Sequence, residues 1–417
     1  MMKCIGFLLC LLFSGQVLAE AISERFEWLP DRRKDQFPTE PAHLFVPLPY
    51  SYPGIGDGFF LIGYASNLGE TTMDGVIVGI TGDATGTVVQ LDEVPIIDKS
   101  LLMHVYLQDI DRAVVNNYDI RGMADSSHYN LLDATRANEN RFQLQYTMDQ
   151  RRINFYLTKY SGDFEIDLIR DVDGSVIEDF TPNYTGSAES TLYAIKLDFT
   201  DDYLDPRRGF KFELTYTDVP PVSDNEPDYY KLDYDFQFYI PYSSNDVMVV
   251  NYYQSDAHVR EIGNINPADI IAELSLNCGS DPDCLTIQNQ LVQNAVNDRT
   301  NGSATSLGGL ERLRSYPQGR YQGGRMAFVG AEYRWNMLDE ETPFNYFIWK
   351  DVRTGKQIAF FAELGTVAET SADIWDETRT SYGVGFRLVT ASGSVYRADI
   401  ANGEEGTELS VFFFYPW

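Results

Sequence analysis

The residues best suited to chemistry form one small group and a few isolated positions. Ser255, Asp256 and His258 lie close together in the chain, and a hydroxyl, a carboxylate and an imidazole could act as the nucleophile, orienting group and base of a hydrolase. A solvated surface cluster is the alternative. The sequence has no Gly-x-Ser-x-Gly, His-Glu-x-x-His or glycine-rich phosphate motif. We therefore expect no enzymatic activity, no cofactor and no metal site. The other histidines are His43, His104 and His128.

The N-terminal segment predicts export. Residues 1–19 combine a basic Lys3, a short apolar run and a Val-Leu-Ala end, which is typical of a secretory signal peptide cleaved after Ala19. A buried helix is the alternative. Export implies an oxidising compartment, in which Cys278 and Cys284 of the NCGSDPDC segment are expected to form a local disulfide. Metal binding is the alternative for this pair, but no histidine lies near it in the sequence.

The charge balance limits the partners. The chain has 62 acidic and 32 basic residues, and its formal net charge is −30. Nucleic acid is excluded as a partner because phosphate binding needs a basic surface. The high aromatic content, 14%, argues against a disordered acidic chain.

The segments around the residues named above, and much of the rest of the chain, show apolar side chains at every second position. This pattern predicts β-strands. A soluble sandwich also alternates in this way. Strands of about ten residues, aromatic residues at strand ends and charges of both signs on the opposite faces favour a membrane barrel. We predict an all-β fold, a single transmembrane antiparallel β-barrel of about 16 strands. The clearest strands fall within 193–199, 210–216, 230–240, 327–335, 358–364, 382–388, 396–400 and 409–417.

The predicted organisation has two parts after the signal peptide. Residues 20–55 are Pro-rich and are expected to form a periplasmic lead-in segment, and the barrel is expected to fill 56–417. Residues 111–139 give no clear assignment. Residues 255–324 interrupt the strands and predict a long loop with two short helices, one beginning at Asn266-Pro267 and one around 285–295. If odd-numbered strands run outward, this loop is extracellular.

Five segments in order resemble a known family. The loop and strand ERLRSYPQGRYQGGRMAFVGAEYRW (311–335), the turn DPRRGF (205–210) and the strands FFAELGTV (360–367), YGVGFRL (382–388) and VYRADIANG (395–403) are similar to the outer-membrane assembly-factor superfamily, the BamA/TamA-type barrels or bacterial surface antigens. The family's Arg-Gly-aromatic motif corresponds to Arg314, Ser315 and Tyr316, with serine in place of glycine. The alternating aromatic residues Phe413, Tyr415 and Trp417 resemble the signal for barrel insertion.

The resemblance implies a lock inside the lumen. In the family the loop that carries Arg314 and Tyr316 folds inward, and the arginine pairs with acids on the twelfth and thirteenth strands. The matching acids are Glu332 and Glu363, which alternate with apolar residues and should therefore face the lumen. A charge-assisted contact would hold the loop there. A solvated Arg314 beside a wet, acid-lined pore is the alternative.

The sequence leaves no room for the family's POTRA docking domains, so a barrel-only branch is expected, in which a separate periplasmic protein could supply docking modules. Pro416 could weaken the seam between the first and last strands, or it could lie beyond the last ladder bond and have no effect.

Two functions follow. The barrel assists insertion or translocation of client outer-membrane or surface proteins through its lumen or lateral seam, or it is a passive small-solute pore or structural or adhesive surface barrel. Outer-membrane lipid and lipopolysaccharide are expected surroundings.

Overall fold

The computed structural model describes residues 41–417, with gaps at 98, 119, 125–128, 150, 204, 244, 275–277, 279–281, 340–343, 347–348, 353 and 391–394. Within these residues, sixteen antiparallel strands close into a barrel in which the first strand pairs with the last. This confirms the predicted fold class. The barrel strands are β1 (Ala42–Tyr52), β2 (Gly56–Ser66), β3 (Asp74–Gly82), β4 (Thr85–Ile97), β5 (Leu101–Asn117), β6 (Asn130–Met148), β7 (Ile153–Arg170), β8 (Val176–Thr200), β9 (Gly209–Val219), β10 (Asp228–Pro241), β11 (Val247–Glu261), β12 (Arg325–Asp339), β15 (Thr354–Ala368), β16 (Arg379–Thr390), β17 (Val395–Gly403) and β18 (Gly406–Phe413).

The remaining elements lie between barrel strands. A small hairpin of β13 (Phe344–Tyr346) and β14 (Trp349–Val352) separates β12 from β15. Helices α1 (Pro267–Leu274) and α2 (Pro282–Asn301) lie in the long loop before β12, where the sequence predicts them. The Asn266 side chain accepts a hydrogen bond from the Ala268 N–H at 3.1 Å, which caps α1. None of the described helices is long and apolar enough to span a membrane.

The alternation in each strand separates an apolar outer face from a packed interior. In β10, Phe238 and Ile240 are 47% and 53% exposed on the outside. In the neighbouring β11, Asn251 and Ser255 are fully buried on the inside. Side chains that alternate in this way suit a barrel with lipid outside and a polar lumen.

Two predicted boundaries need correction, and one unassigned segment is now placed. The first barrel strand, β1, lies within the segment 20–55 that the sequence analysis assigned to a lead-in, because its prolines obscure the strand pattern. The long loop begins after Glu261 rather than at residue 255. The unassigned segment 111–139 contains the end of β5 and the start of β6.

Some predictions lie outside the described residues. The signal peptide and residues 20–40 are among them. The Cys278–Cys284 disulfide stays a prediction, because the Cys284 side chain is also outside the described residues.

The interior differs between the two sides of the closing seam. On the β1–β3 side, the inward side chains are apolar, and Tyr50, Phe60 and Ile62 form a buried cluster. The aromatic rings of Tyr50 and Phe60 stack with their centroids 4.4 Å apart. The inward side chains of β12 and β15–β17 instead include six buried charged residues, Glu332, Arg334, Glu363, Arg387, Arg397 and Asp399. The expectation of a polar lumen therefore holds for one part of the wall and not for the other.

The turn between β8 and β9 depends on a glycine. Gly209 has a φ of +108°, and an added Cβ would lie 2.0 Å from the Phe199 carbonyl oxygen. We expect Gly209→Ala to lower the free energy of unfolding by about 2 kcal/mol or more, because alanine disfavours this φ and meets backbone. The measurement is the temperature at which the folded band is lost in semi-native electrophoresis. Gly63→Ala is the control, because its nearest contact would be at 3.9 Å. Equal stability of the two variants would contradict the prediction.

Candidate functional site

The inner wall of β12 and β15–β17 carries a buried set of charges. Each residue lies at an inward position of its strand, and none is more than 4% exposed. Together with Arg314 from the long loop, they form what we call the lumen cluster. Its members are Arg314, Glu332, Arg334, Glu363, Arg387, Arg397 and Asp399.

Arg314 enters this cluster from the loop and contacts three strands. Its Nε donates to Glu363 Oε1 at 2.7 Å, and its backbone N–H donates to Glu363 Oε2 at 2.9 Å. Its Nη1 donates to Glu332 Oε2 at 2.9 Å and to Asp399 Oδ2 at 3.2 Å. The guanidinium also lies over the Phe361 ring, 3.4 Å from its centroid. The structure therefore brings Arg314 together with both acids that the sequence assigned to it.

The other arginines of the cluster tie the strands to each other. Arg387 of β16 contacts both Glu332 and Asp399. Arg397 donates to Asp399 at 2.7 Å and to the Leu310 carbonyl oxygen of the loop at 2.6 Å. Because these groups are buried, removing one partner leaves a charge uncompensated, which typically costs about 3–5 kcal/mol.

The residues beside Arg314 fit the wall closely. The Ser315 N–H donates to Ser381 Oγ at 3.1 Å, and an added Cβ at Gly403 would lie 2.2 Å from Ser315 Oγ. Ser315 does not have a positive φ, whereas Leu313 does, at +53°. Serine is therefore accommodated where the family motif has glycine. Tyr316 is fully buried, and its hydroxyl accepts a hydrogen bond from the Glu404 N–H at 3.2 Å.

A second layer of contacts closes the barrel end that carries the long loop, called the loop end below. Arg121, from the β5–β6 connection, pairs with Glu369 at 2.7 Å and with Asp298 of α2 at 2.9 Å. Arg320 pairs with Glu405 between β17 and β18. Three connections are thus joined to the long loop above the lumen cluster.

The last residues do not continue the alternation on the wall, contrary to the sequence interpretation. Strand β18 ends at Phe413, and Phe414 has a left-handed φ of +64°. Tyr415 and Trp417 then turn into the lumen. Trp417 is 7% exposed and packs beside Phe328. Gly330 leaves space for the indole of Trp417, because a Cβ added at Gly330 would lie 2.8 Å from Trp417 Cζ2.

Tyr415 joins this terminal segment to the turn between β8 and β9. Its hydroxyl donates to Asp205 Oδ1 at 2.7 Å, and the Arg334 guanidinium lies 3.8 Å from its ring centroid. Burial raises the pKa of Asp205, but Arg207 and the hydrogen bonds from Tyr415 and Gln357 outweigh this and hold the pKa below its ordinary value. Asp205 therefore remains a charged acceptor. Pro416 lies beyond the last residue of β18, so it does not interrupt the ladder.

The candidate hydrolase group is not assembled. In β11, Ser255 lies on the buried inner face, whereas Asp256 and His258 lie on the outer face. The His258 ring stacks on Tyr230 with centroids 5.0 Å apart.

Sequence reasoning missed Asp399, Arg387 and Arg397. The signal was present, because these residues share the inward parity of their strands, as Glu332 and Glu363 do. The Tyr415–Asp205 contact had no such signal, since it depends on the kink at Phe414.

Comparisons with solved structures give distant similarities. BamA from Haemophilus ducreyi lacking POTRA domains 1–3 is 12% identical, with 94% of this chain and 77% of that chain covered and a TM-score of 0.46. CdiB from Escherichia coli is 10% identical, with 91% and 68% covered and a TM-score of 0.48. CdiB from Acinetobacter baumannii is 10% identical, with 90% and 60% covered and a TM-score of 0.44.

Comparison of sequences gives the family. No curated protein matches the chain. The family model described as the Omp85 superfamily domain matches residues 134–407, which is more than half of the chain and contains the loop and every strand of the lumen cluster. The chain therefore belongs to the Omp85 superfamily, and it is an outer-membrane β-barrel of that family.

Proposed function

We propose that this barrel assists the insertion or translocation of outer-membrane or surface proteins, and that its lateral seam is the working part. The observation that carries the proposal is the pairing of β1. It pairs with β2 from Ala42↔Ser66 to Tyr52↔Gly56, but with β18 only at Ser51↔Val411. A seam with so little ladder is the weakest line in the wall, and its opening would expose strand edges on which an incoming strand can pair.

The sequence of β1 accounts for this weakness. Pro47 and Pro49 lack a backbone N–H, and their spacing directs both nitrogens to the same edge of the strand. The other edge is fully paired with β2, so these nitrogens are expected to face β18. Continuing the register of Ser51↔Val411 would place Phe413 opposite Pro49. Strand β1 therefore lacks two of the donors that would extend the seam.

Side chains hold the seam closed instead of a ladder. Ser51 Oγ donates to the Leu409 carbonyl oxygen at 3.1 Å, and the Tyr396 hydroxyl donates to the Pro49 carbonyl oxygen at 2.9 Å. The Tyr52 and Phe412 rings meet edge to face, with centroids 5.4 Å apart. Such contacts can part and re-form without unfolding the neighbouring strands, as a seam that opens for clients requires.

We assign the lumen cluster the role of a loop lock, with Arg314, Tyr316, Glu332 and Glu363 as its central residues. Their burial fixes the loop inside the barrel, which supports an assembly or translocation factor over a wide passive pore. Phe413, Tyr415 and Trp417 are proposed to serve also as the signal for insertion of this barrel itself. The expected surroundings are lipid and lipopolysaccharide, with the loop end outside, and a separate periplasmic protein would supply docking modules.

The lock gives the first test of this function. We expect a deletion strain to lose a restricted set of outer-membrane or surface proteins, measured by quantitative proteomics of the outer membrane. Wild type should restore them. Arg314→Ala should not, because Glu332 and Glu363 lose their shared partner, although the barrel should still reach the membrane. The Glu332→Gln/Glu363→Gln variant should fail in the same way.

Arg136→Ala is the matched control, because the Arg136 side chain is 56% exposed and its ion pair with Glu165 is long, at 3.9 Å. This variant should restore the proteome. An unchanged proteome in the deletion strain would exclude the assembly or translocation function. Conductance of the purified barrel would then test the passive pore.

The prolines give the second test. We expect Pro47→Val/Pro49→Val to extend the ladder to β18, which raises the unfolding temperature and reduces restoration of the client proteins. The two measurements are semi-native electrophoresis and the same proteome. Leu48→Val is the control, because this residue lies between the prolines and its N–H is expected to face β2. A more stable variant with full activity would show that clients do not pass through the seam.

A further inference from the structure

Strands β7 and β8 continue well past the barrel wall at the loop end. The outward rings of Tyr193, Tyr216 and Tyr230 form a row, with successive centroids 6.2 and 5.1 Å apart, and such rows mark the membrane interface. Strand β8 passes this row at Tyr193 and extends to Val176, and β7 pairs with it up to Arg170↔Val176. The segment of β8 beyond the row is therefore a strand in water.

One edge of this segment has no strand beside it. Strand β9 pairs with β8 only from Thr200↔Gly209 to Thr191↔Asp218, and no other described strand pairs with residues 176–190. The cause lies in β9, where Pro220 and Pro221 follow Val219 directly and cannot supply ladder N–H groups. The free edge is thus fixed by sequence.

The free edge contains a stretch suited to pairing. Residues 184–190 pair on their other side with β7 without interruption, from Ile166↔Tyr184 to Tyr160↔Ser190. Five of these seven residues are exposed, and none is proline. Alternate residues of such a strand present their N–H and C=O groups to the open side, where another strand can bind. The adjoining residues 180–183 form a bulge against β7.

The surroundings of this edge are strongly acidic. The basic residues of segment 159–190 are Lys159 and Arg170, whereas its acidic residues are Asp163, Glu165, Asp167, Asp171, Asp173, Glu178, Asp179 and Glu189. Glu189 pairs with Lys159 at 3.1 Å and Glu165 lies 3.9 Å from Arg136. No described ion pair neutralises Asp163, Glu178 or Asp179. The edge therefore lies in a field that attracts cations.

We propose that the edge of β8 at residues 184–190 binds an extended, basic polypeptide segment of another protein, which adds as a strand in the place that β9 leaves free. Backbone hydrogen bonds supply the affinity, and the acidic residues of segment 159–190 favour a positively charged partner. Two copies of this chain would bring like-charged edges together, which disfavours self-pairing. This edge extends from the side of the barrel opposite the seam, so it is separate from the proposed route for clients.

The probe is a labelled nine-residue peptide in which lysine alternates with threonine and valine, added to the full barrel in detergent micelles. Fluorescence anisotropy gives the Kd. We expect the peptide to bind at least tenfold more tightly than the same peptide with N-methyl groups on alternate backbone nitrogens, which keeps the charge and blocks the ladder. Equal Kd values for the two peptides would overturn the proposal, because charge alone would then explain the binding.

Proline substitutions locate the site. The N–H groups of consecutive strand residues point to opposite edges, so one of Ser187→Pro and Ala188→Pro removes a donor from the free edge and leaves the pairing with β7 intact. That variant should keep its folded band in semi-native electrophoresis and bind at least tenfold more weakly. If both variants bind as wild type does, the proposal is wrong.

Charge substitutions test the selection. Glu178→Gln/Asp179→Asn should weaken binding about threefold, as expected for charges that are half-buried or exposed. The matched control, Asp376→Asn/Glu377→Gln, removes the same charges from an exposed loop at the same end and should leave the Kd unchanged. Equal losses in both variants would overturn the charge selection. A dimer in solution that Ser187→Pro or Ala188→Pro converts to a monomer would assign the edge to a second copy and overturn the choice of partner.

Discussion

The structure depends on burying one guanidinium. Arg314 has no exposed surface, and a charge in that position is stable only if opposite charges surround it. Glu332, Glu363 and Asp399 supply them from β12, β15 and β17. The position of the long loop and the alignment of these strands therefore depend on each other. Without the loop the strand carboxylates lose Arg314, and without the aligned strands Arg314 loses its carboxylates.

The interior of the barrel wall is therefore of two kinds, one held by ion pairs and the other by apolar packing. Strands β12 and β15–β17 are joined by ion pairs between their side chains and by Arg314 of the loop. Strands β1–β3 are held by apolar packing, which has no preferred direction. The seam lies near the boundary, because only β18 separates the ionic network, whose last strand is β17, from β1. The segment after Phe414 reaches from the seam strand across to Asp205, and it links β18 to the turn before β9.

The alternation of side chains was enough to predict the barrel. The spacing of apolar residues indicated both helices, and the resemblance to the family pointed to Arg314, Glu332 and Glu363. Strand β1 was missed because Pro47 and Pro49 normally argue against a strand, and here they are tolerated because one edge is the seam. The inward turn of Tyr415 and Trp417 could not be predicted, since a left-handed φ at a phenylalanine has no sequence signature. Asp399 was within reach of the argument, because its parity matches that of the two glutamates.

The apolar interior of β1–β3 has a consequence for how the strands stay aligned. A slip by one residue usually turns polar groups toward lipid, and that penalty fixes the pairing of most barrel strands. In β2 and β3 both faces are apolar, with Phe59 and Ile77 outside and Phe60 and Val78 inside, so the penalty is small. Their alignment rests on tight turns such as the one at Gly82, where an added Cβ would lie 2.5 Å from the Asp57 carbonyl oxygen. Strands β2 and β3 are therefore held in register by their turns and ladders rather than by a contrast between their two faces.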